Sequence, residues 1–502
     1  MLRKTTFCLI WLIVFCCLGL AQSGSAQSLN FKRQNLKVNG NIIGKMYKDV
    51  DGDSLIDIIV FYLEGKEDNS KRMVGFFKQQ KSSGFDTIPN QTFNLDKKAS
   101  VVGLSDVNRD GKKELLFLSE DGVYFYGING GTFDEKPSLL FSAGSFLPAP
   151  EENVLKWDFC VDMDNKDQTI IIPQRKGYEI WTRNGQGEFV SKGKLKLKPI
   201  ISISAGSAQL EQNRGSIHLS YDMPGLTLVD YNKDGKTDIL VIQENKIYIF
   251  LSKEDGSFGE QADKVLALKA KDKENEQRDI KLDDINGDGA IDLIINESGG
   301  NMEKGMKSKT SIYLGKGAEG FNLNSLHQVI SSEKEASEVS FHDLNKDGKK
   351  EMIASSFGFN VGSMIKVLLT KSLKFGLYVS SLEKNDIYPQ EPNCKMKLSM
   401  KVSFDNESNG SSGVQEGDFS GDFNGDGLSD LFYVAGDNIL RFFLGKKRVF
   451  FSDKPDYEMG MEIPADYHKI INLNNDNRSD IIFSFPEKKD MKNKLVVLFS
   501  KT

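Results

Sequence analysis

A nine-residue acidic pattern recurs along the chain and constrains its fold more than any other feature. It first appears as DVDGDSLID at residues 49–57, with Asp at positions 1, 3, 5 and 9. In a tight loop alternate side chains turn inward, so acids at positions 1, 3 and 5 converge and position 9 closes the cage. Calcium takes six to eight oxygen ligands of this kind. One copy would fit a solvated acidic turn equally well, but the recurrence favours a cation site.

Six further copies follow, together with one degenerate copy, and their starts lie 50 to 79 residues apart. We predict that the residues at positions 1, 3, 5 and 9 are the metal ligands: Asp49, Asp51, Asp53, Asp57; Asp106, Asn108, Asp110, Glu114; Asp230, Asn232, Asp234, Asp238; Asp284, Asn286, Asp288, Asp292; Asp343, Asn345, Asp347, Glu351; Asp422, Asn424, Asp426, Asp430; and Asn472, Asn474, Asp476, Asp480. The degenerate copy, residues 162–170, has Lys166 at position 5 and Ile170 at position 9, and we predict that it holds no ion. The chain would then bind about six or seven Ca²⁺.

The residues after the acids distinguish these loops from an EF-hand. An EF-hand needs a bidentate Glu at position 12 and a helix on each side, but position 12 is apolar in all seven copies. Position 9 is followed by a short apolar run, such as Ile58-Ile59-Val60, which is typical of a buried strand. Glycine follows position 5 in five copies, as a turn with positive φ requires; Asn477 adopts that conformation at modest cost, and Ser54 is less comfortable there.

A hairpin signal after each loop extends the repeat to four strands. Alternating apolar residues surround a Gly-rich turn that often ends in Gly-x-Phe, as in residues 122–133 and 246–258. Four short strands about every 60 residues predict an all-β fold, a β-propeller of eight four-stranded blades with calcium-binding loops. Seven blades are the alternative, because one copy is degenerate and another follows an insertion at 378–414. Residues 28–38 resemble the hairpin tail that the last unit lacks, so we expect the N-terminal strand to complete the last blade.

The N-terminal segment indicates the compartment in which the protein is located. Residues 1–26 have the features of a secretory signal peptide: two basic residues, an apolar run from Phe7 to Leu20, and small residues at 24–26. Residues 27–502 then form a single propeller domain, and no later stretch is long enough to span a bilayer. We therefore expect a secreted or extracytoplasmic protein, located in the periplasm or on the cell surface if the source is bacterial.

The composition narrows the classes of function. The formal net charge of −6 becomes −8 when the basic residues of the signal are removed, and an acidic chain without a basic stripe argues against nucleic acid binding. The four histidines have no metal-ligand spacing, and we find no nucleophile elbow, phosphate loop or CxxC, so we predict no catalytic residues. Cys160 and Cys394 either pair or remain as buried thiols. Trp157 and Trp181 fit packing roles.

These repeats resemble the FG-GAP/VCBS repeat family, which includes the N-terminal propeller of integrin α subunits. The resemblance rests on D-x-[DN]-x-D-G-x-x-[DE], an apolar strand and a Gly-rich hairpin, and it covers nearly all of residues 27–502. It implies a calcium-stabilised propeller but does not imply one function, because the family includes adhesins, lectin-like proteins and propeller polysaccharide lyases.

We therefore expect a binding or adhesion module for a protein or glycan. The alternative is a secreted polysaccharide lyase of the propeller type or another carbohydrate-active enzyme. A cluster of His, Tyr, Arg or Lys in one central groove would favour the enzyme, and a bare, flat face would favour the binding module.

Overall fold

The computed structural model is a ring of eight four-stranded blades, the arrangement of an eight-bladed β-propeller. It describes residues 29–65, 70–155, 157–163, 167–198, 200–205, 217–269, 277–301, 305–332, 336–357, 361–401, 417–435 and 438–501. The predicted signal peptide lies outside these residues. Within them, no helix is long and apolar enough to cross a membrane.

The strands of the first four blades follow one another along the chain after the N-terminal strand. They are β1 (Asn30–Lys37), which precedes blade 1; β2 (Asn41–Lys48), β3 (Asp57–Glu64), β4 (Lys71–Phe77) and β5 (Gln91–Asn94) in blade 1; β6 (Val101–Ser105), β7 (Glu114–Leu118), β8 (Val123–Tyr126), the small hairpin β9 (Ile128–Asn129) and β10 (Thr132–Phe133), and β11 (Ser138–Phe141) in blade 2; β12 (Cys160–Met163), β13 (Asp167–Gln174), β14 (Gly177–Arg183) and β15 (Phe189–Lys196) in blade 3; the separate hairpin β16 (Ile200–Ala205) and β17 (Ile217–Asp222); and β18 (Leu226–Val229), β19 (Asp238–Gln243), β20 (Lys246–Phe250) and β21 (Lys264–Ala267) in blade 4.

The second half of the chain repeats the plan and adds one helix. Its elements are β22 (Gln277–Asp283), β23 (Asp292–Asn301), β24 (Gly305–Tyr313), a 3-10 turn (Gly317–Glu319) and β25 (Gln328–Ser332) in blade 5; β26 (Ala336–His342), β27 (Glu351–Phe357), α1 (Val361–Thr370), β28 (Ser372–Ser380) and β29 (Cys394–Lys401) in blade 6; β30 (Asp418–Gly421), β31 (Asp430–Val434), β32 (Ile439–Phe443) and β33 (Tyr457–Gly460) in blade 7; and β34 (Tyr467–Ile471), β35 (Asp480–Ser484) and β36 (Lys494–Lys501) in blade 8.

The second strand of each blade is buried on both faces, which explains its apolar run. In β3, Ile59 and Phe61 pack toward blade 2, whereas Ile58, Val60 and Tyr62 pack toward blade 8. A strand that contacts a neighbouring sheet on each side needs apolar residues at successive positions rather than at alternate ones. The acidic loop therefore leads directly into the most buried part of its blade.

Eight clusters of buried apolar side chains occur among the described residues, and each lies between two neighbouring blades. The Phe of the Gly-x-Phe hairpins enters these contacts: Phe133 packs on Phe76 of blade 1, and Phe321 packs on Tyr231 of blade 4. The prediction of eight blades is thereby confirmed over the alternative of seven.

The ring closes through the two ends of the chain. Strand β1 pairs antiparallel with β36 over eight residues, from Asn30 opposite Lys501 to Lys37 opposite Lys494, so it is the fourth strand of blade 8. This confirms the closure expected from the sequence. The pairing covers an edge of β36 that would otherwise present free backbone groups.

Several local features differ from the regular repeat. In blade 3 Asp162 lies within strand β12 opposite Gln168, so this copy begins as a hairpin rather than as an open loop. Of the insertion expected at 378–414, residues up to 401 form the end of β28, a connection and β29 of blade 6, and residues 402–416 lie outside the described chain. The sequence showed no helical pattern, yet α1 lies between the second and third strands of blade 6.

The aromatic and sulfur side chains of blades 2 and 3 behave as packing residues. Trp157 stacks on Tyr178 with ring centroids 5.7 Å apart, and Trp181 stacks on Phe141 with centroids 4.8 Å apart. Cys160 is a free thiol in this part of the ring, and burial raises its pKa. Cys394, in blade 6, is also a free thiol.

We predict that Leu36→Ala destabilises the protein by about 2–5 kcal/mol, because Leu36 is 1% exposed and fills the contact between β1, blade 8 and blade 1. Lys37→Ala is the matched control, since the neighbouring side chain is exposed and should change stability by less than about 0.5 kcal/mol. Denaturant unfolding monitored by Trp fluorescence would measure both. Equal effects of the two substitutions would contradict a closing role for β1.

Candidate functional site

The acidic loops lie on one face of the ring, because each joins the first strand of its blade to the second. We call this the loop face. The backbone is left-handed twice in each loop, at positions 4 and 6. At position 6 φ is +69° for Ser54 and +65° for Asn477, and the other five copies have Gly there. The positive φ predicted at position 6 is confirmed. The left-handed conformation at position 4 was not predicted. The residues at this position include Arg109, Lys233 and Lys346, and a long basic side chain does not indicate a positive φ.

The acid at position 1 holds the turn together. In the first loop, the two carboxylate oxygens of Asp49 accept the N–H groups of Gly52 and Ser54, at 2.8 and 2.9 Å. The loop that begins at Asp422 repeats this arrangement with Gly425 and Gly427, at 2.7 and 2.8 Å. In the last copy Asn472 accepts one such bond at 3.3 Å. Backbone donors aimed at one carboxylate thus define the concave side of the loop.

The acid at position 9 is shielded from solvent in every copy. These seven residues are at most 1% exposed: Asp57, Glu114, Asp238, Asp292, Glu351, Asp430 and Asp480. One oxygen of each accepts the N–H of position 2 of its own loop, at 2.7–3.1 Å. Burial, together with repulsion from acids in the same loop, raises the pKa of the Asp238 carboxyl to about 6 and the pKa of the other six carboxyls to about 7, although backbone hydrogen bonds oppose the shift.

Asp and Glu use their second oxygen differently at position 9. In four of the five Asp copies it accepts a backbone N–H from just beyond the third strand of the blade, as Asp57 does from Gln79 at 2.8 Å. In the fifth copy Asp480 accepts the N–H of Ser500, near the end of the third strand itself, at 2.8 Å. In the two Glu copies it accepts the side-chain amide of the Asn at position 3, as Glu114 does from Asn108 at 2.9 Å. The longer side chain therefore reaches into the loop, whereas Asp ties the loop to the end of the third strand or to the residues just after it. The sequence pattern treats the two residues alike and did not reveal this difference.

The structure brings three acids together in the first loop. Asp49, Asp51 and Asp57 each offer an oxygen within 4.8 Å of the others. Oδ1 of Asp51 is buried without a hydrogen-bond partner, and Oδ2 contacts the ammonium group of Lys78. Carboxylates that converge with an orphaned oxygen are a donor set that suits a hard cation.

The other six loops are built around Asn at position 3. In four of them its amide donates to the Asp at position 5, as Asn424 does to Asp426 at 2.9 Å. Among the residues that the structure describes, none of these loops places three acidic oxygens as close together as the first loop does. Their oxygen donors suit the same ion, and Oδ1 of Asn474 is likewise buried without a partner.

Neighbouring loops are joined by backbone hydrogen bonds. The N–H of position 8 donates to the C=O of position 2 in the preceding loop, at 2.8–2.9 Å, in the pairs Lys113–Val50, Lys350–Ile285, Ser429–Leu344 and Ile56–Leu473. Blade 3 lacks an acidic loop, and there the guanidinium of Arg183 donates to Val107 C=O at 2.5 Å instead. Ser479 N–H donates to Asp422 C=O at 2.7 Å, and the ammonium of Lys233 donates to Asp288 C=O at 2.6 Å. With these two bonds the seven loops form part of one linked belt.

A cavity of about 770 Å³ opens on the other face, at the ends of the first strands remote from the loops. We call it the central cavity. Its walls come from β2, from the segment before β12, from Tyr467 and from the connection between β35 and β36. Its charged residues are Lys45, Lys492, Lys494 and Asp158. Nothing in the sequence pattern indicated this cavity, because its walls lie far apart along the chain.

Hydrogen bonds fix the wall of the central cavity. Lys492 C=O accepts the N–H of Ile42 at 2.9 Å, which holds the β35–β36 connection against β2. The ammonium of Lys45 donates to Ser484 Oγ at 2.5 Å. Trp157 presents a ring held in place by stacking, and Tyr467 is 54% exposed. The cavity therefore combines a net positive charge with aromatic surface.

We predict that Ser54→Gly stabilises the protein by about 0.5–1 kcal/mol, because Gly removes the cost of a left-handed Ser and retains the N–H donated to Asp49. Denaturant unfolding would measure the gain. Ser54→Ala is the control: it removes the hydroxyl but keeps the strain. If Ala stabilised the protein as much as Gly, the hydroxyl rather than the backbone would be responsible.

No protein-family model matches this chain, and no curated protein matches it. Solved structures with a similar arrangement include a lectin of Agrocybe aegerita that specifically recognises non-reducing terminal N-acetylglucosamine, with 16% identity over 93% of this chain and 96% of that chain and a TM-score of 0.42. The WD40 domain of coronin from Toxoplasma gondii shares 10% identity over 94% and 86% of the two chains, with a TM-score of 0.34. Likenesses of this degree carry no argument about what the chain binds.

Proposed function

We propose that this chain is an extracytoplasmic β-propeller of the FG-GAP/VCBS kind, stabilised by Ca²⁺, whose central cavity binds an acidic glycan. The observation that carries the calcium proposal is the complete burial of an acid at position 9 of each loop, next to further acids. A buried carboxylate is costly unless it is neutralised, and a divalent cation neutralises several carboxylates at once. Lys78 supplies a positive charge to the first loop.

The ligand proposal rests on the chemistry of the central cavity. Its volume lies within the range of about 300–1,000 Å³ that small-ligand sites occupy. Three lysines against one aspartate favour an anionic ligand. Aromatic rings at Trp157 and Tyr467 offer flat apolar surface, on which the faces of sugar rings pack. A carboxylate-bearing saccharide satisfies both requirements.

Calcium binding is tested by a metal count and by thermal unfolding of residues 27–502. We expect about six or seven Ca²⁺ per chain, and a fall in the unfolding temperature on addition of a chelator. Asp234→Ala should lower the count by one, because Asp234 is a predicted ligand. Asp162→Ala, in the degenerate copy, is the matched control and should leave the count unchanged. A protein without calcium whose unfolding is indifferent to the chelator would refute the proposal.

Ligand binding is tested by calorimetry with uronate-containing oligosaccharides and their neutral counterparts. We expect binding only to the acidic series, and Lys492→Ala together with Lys494→Ala should weaken it at least tenfold, since about 1.4 kcal/mol accounts for each factor of ten. Lys489→Ala is the control, because this exposed residue belongs to the same connection but does not line the cavity. Equal binding of the neutral series would exclude charge recognition.

One observation favours a second candidate, a polysaccharide lyase. The central cavity holds one tyrosine and three lysines, the kind of cluster that the enzyme alternative requires. In an elimination, a base removes the proton beside the sugar carboxylate, a C=C bond forms, and the glycosidic C–O bond breaks as the leaving oxygen takes up a proton. Lysines would stabilise the carboxylate, and Tyr467 is a candidate base. Mass spectrometry of acidic polysaccharides incubated with the protein separates the two candidates, because only the lyase yields unsaturated fragments.

A further inference from the structure

The helix α1 is an addition to the propeller plan with an unusual orientation. In blade 4 the second and third strands are joined by Glu244 and Asn245 alone, whereas in blade 6 the same connection contains the ten residues of α1. Two bonds close the last turn of the helix: Lys371 N–H donates to Val367 C=O at 2.8 Å, and Thr370 Oγ1 donates to Lys366 C=O at 2.7 Å. Thr370 Oγ1 also donates to Ser372 C=O at the start of β28, at 3.3 Å. The core of a repeat protein is built from its repeated strands and does not need such an element. We therefore expect α1 to have a role outside the core.

The apolar stripe of α1 faces outward. Ile365, Leu368 and Leu369 lie at the i, i+3 and i+4 spacing that places side chains on one side of a helix, and they are 52%, 57% and 81% exposed. Val367, on another side of the helix, is partly buried. A surface helix ordinarily turns its apolar stripe toward the protein core. This one presents three long aliphatic side chains to the surroundings.

The exposed charges of α1 and of the adjoining strands β28 and β29 near it are all positive. Lys366 lies on the helix, Lys371 directly after it and Lys374 on β28, and all three are exposed. The neighbouring strand β26 contributes one exposed acid at this end of the blade, Glu338 opposite Ser355. Lys397 and Lys401 of β29 are also exposed, and they lie opposite Gly376 and Ser372 of β28. The three acids of the described stretch 361–401 lie in the β28–β29 connection, at the other end of these strands. A chain with an overall net charge of −6 therefore carries a local basic surface beside its apolar stripe.

We propose that α1 and the adjoining lysines dock this protein on an anionic lipid bilayer, a role that goes beyond the proposed glycan binding. Aliphatic side chains on one side of a helix with lysines beside them are the composition of an interfacial helix. Each lysine near an anionic surface strengthens attachment. The arrangement of the whole ring agrees with this, because α1 and the central cavity share one face and the acidic loops lie on the other. Docking through α1 directs the acidic loop face away from the negative membrane.

A second copy of the chain fits the stripe less well. A stable protein interface buries about 800 Å² on each partner, which three aliphatic side chains cannot supply. Two copies meeting through this surface would also bring their lysines together. The positive charge beside the helix therefore favours an anionic bilayer as the partner and disfavours a second copy of this chain.

Sedimentation with vesicles tests the proposal. The full mature chain would be mixed with vesicles of phosphatidylcholine alone and of phosphatidylcholine with one-fifth phosphatidylglycerol. We expect at least tenfold stronger binding to the anionic vesicles, weakened by salt. Leu368→Asp combined with Leu369→Asp should abolish binding, and Lys371→Glu combined with Lys374→Glu should weaken it at least tenfold. Leu326→Asp is the matched control, because Leu326 is 48% exposed on another blade, and it should bind as the unmodified protein does.

Two results would overturn the proposal. One is anionic-vesicle binding that is absent or that survives the double Leu substitution, since α1 would then not be the docking element. The other is a dimer detected by light scattering that the same substitution converts to a monomer, which would identify a second copy as the occupant. Circular dichroism of each variant confirms that the propeller remains folded. Vesicle binding and glycan binding are measured separately, so failure of one leaves the other to be judged by its own experiment.

Discussion

Burial of one carboxylate per loop is the constraint on which the loop face depends. The acid at position 9 begins the second strand, so its backbone belongs to the most buried part of the blade while its side chain reaches back to the N–H of position 2. In five copies it also accepts a backbone N–H from the end of the third strand or from just beyond it. One side chain thus joins three segments of a blade. The price is a desolvated negative charge, which a protein compensates with a proton, a cation or an ammonium group.

The same residues connect neighbouring blades. In five of the seven loops position 8, next to the buried acid, donates its N–H to a C=O of the preceding loop, so displacement of one loop strains the next. Blade 3 shows how the belt continues where the acids are lost, because Arg183 contributes the missing donor from its side chain. A guanidinium forms this bond without needing an ion. Loss of the acidic pattern in one blade is therefore compatible with retention of the ring.

The sequence predicts the fold well because one physical rule applies at every copy. A strand buried on both faces must be continuously apolar, so the runs after each position 9, such as Ile58-Ile59-Val60, mark the second strand of a blade. The features that the sequence did not predict depend on three-dimensional geometry, which a linear pattern does not encode. The different roles of Asp and Glu at position 9 depend on which backbone N–H lies within reach. The central cavity joins Lys45 to Lys494, which are neighbours only after the ring closes. The helix α1 is short and contains Gly362, so the sequence shows no sustained helical periodicity of apolar residues there.

Closure of blade 8 also has a consequence for the order of events during synthesis. Strand β1 is synthesised before the other strands that the structure describes, and its partner β36 is synthesised after them. The pairing of Asn30 with Lys501 must therefore wait until those strands have been made, and contacts this distant in sequence form slowly. In the interval β1 has no sheet to join, and the edge that it will cover does not yet exist. Until β36 has been made the propeller is an open arc, and the first of its described strands is among the last to be paired.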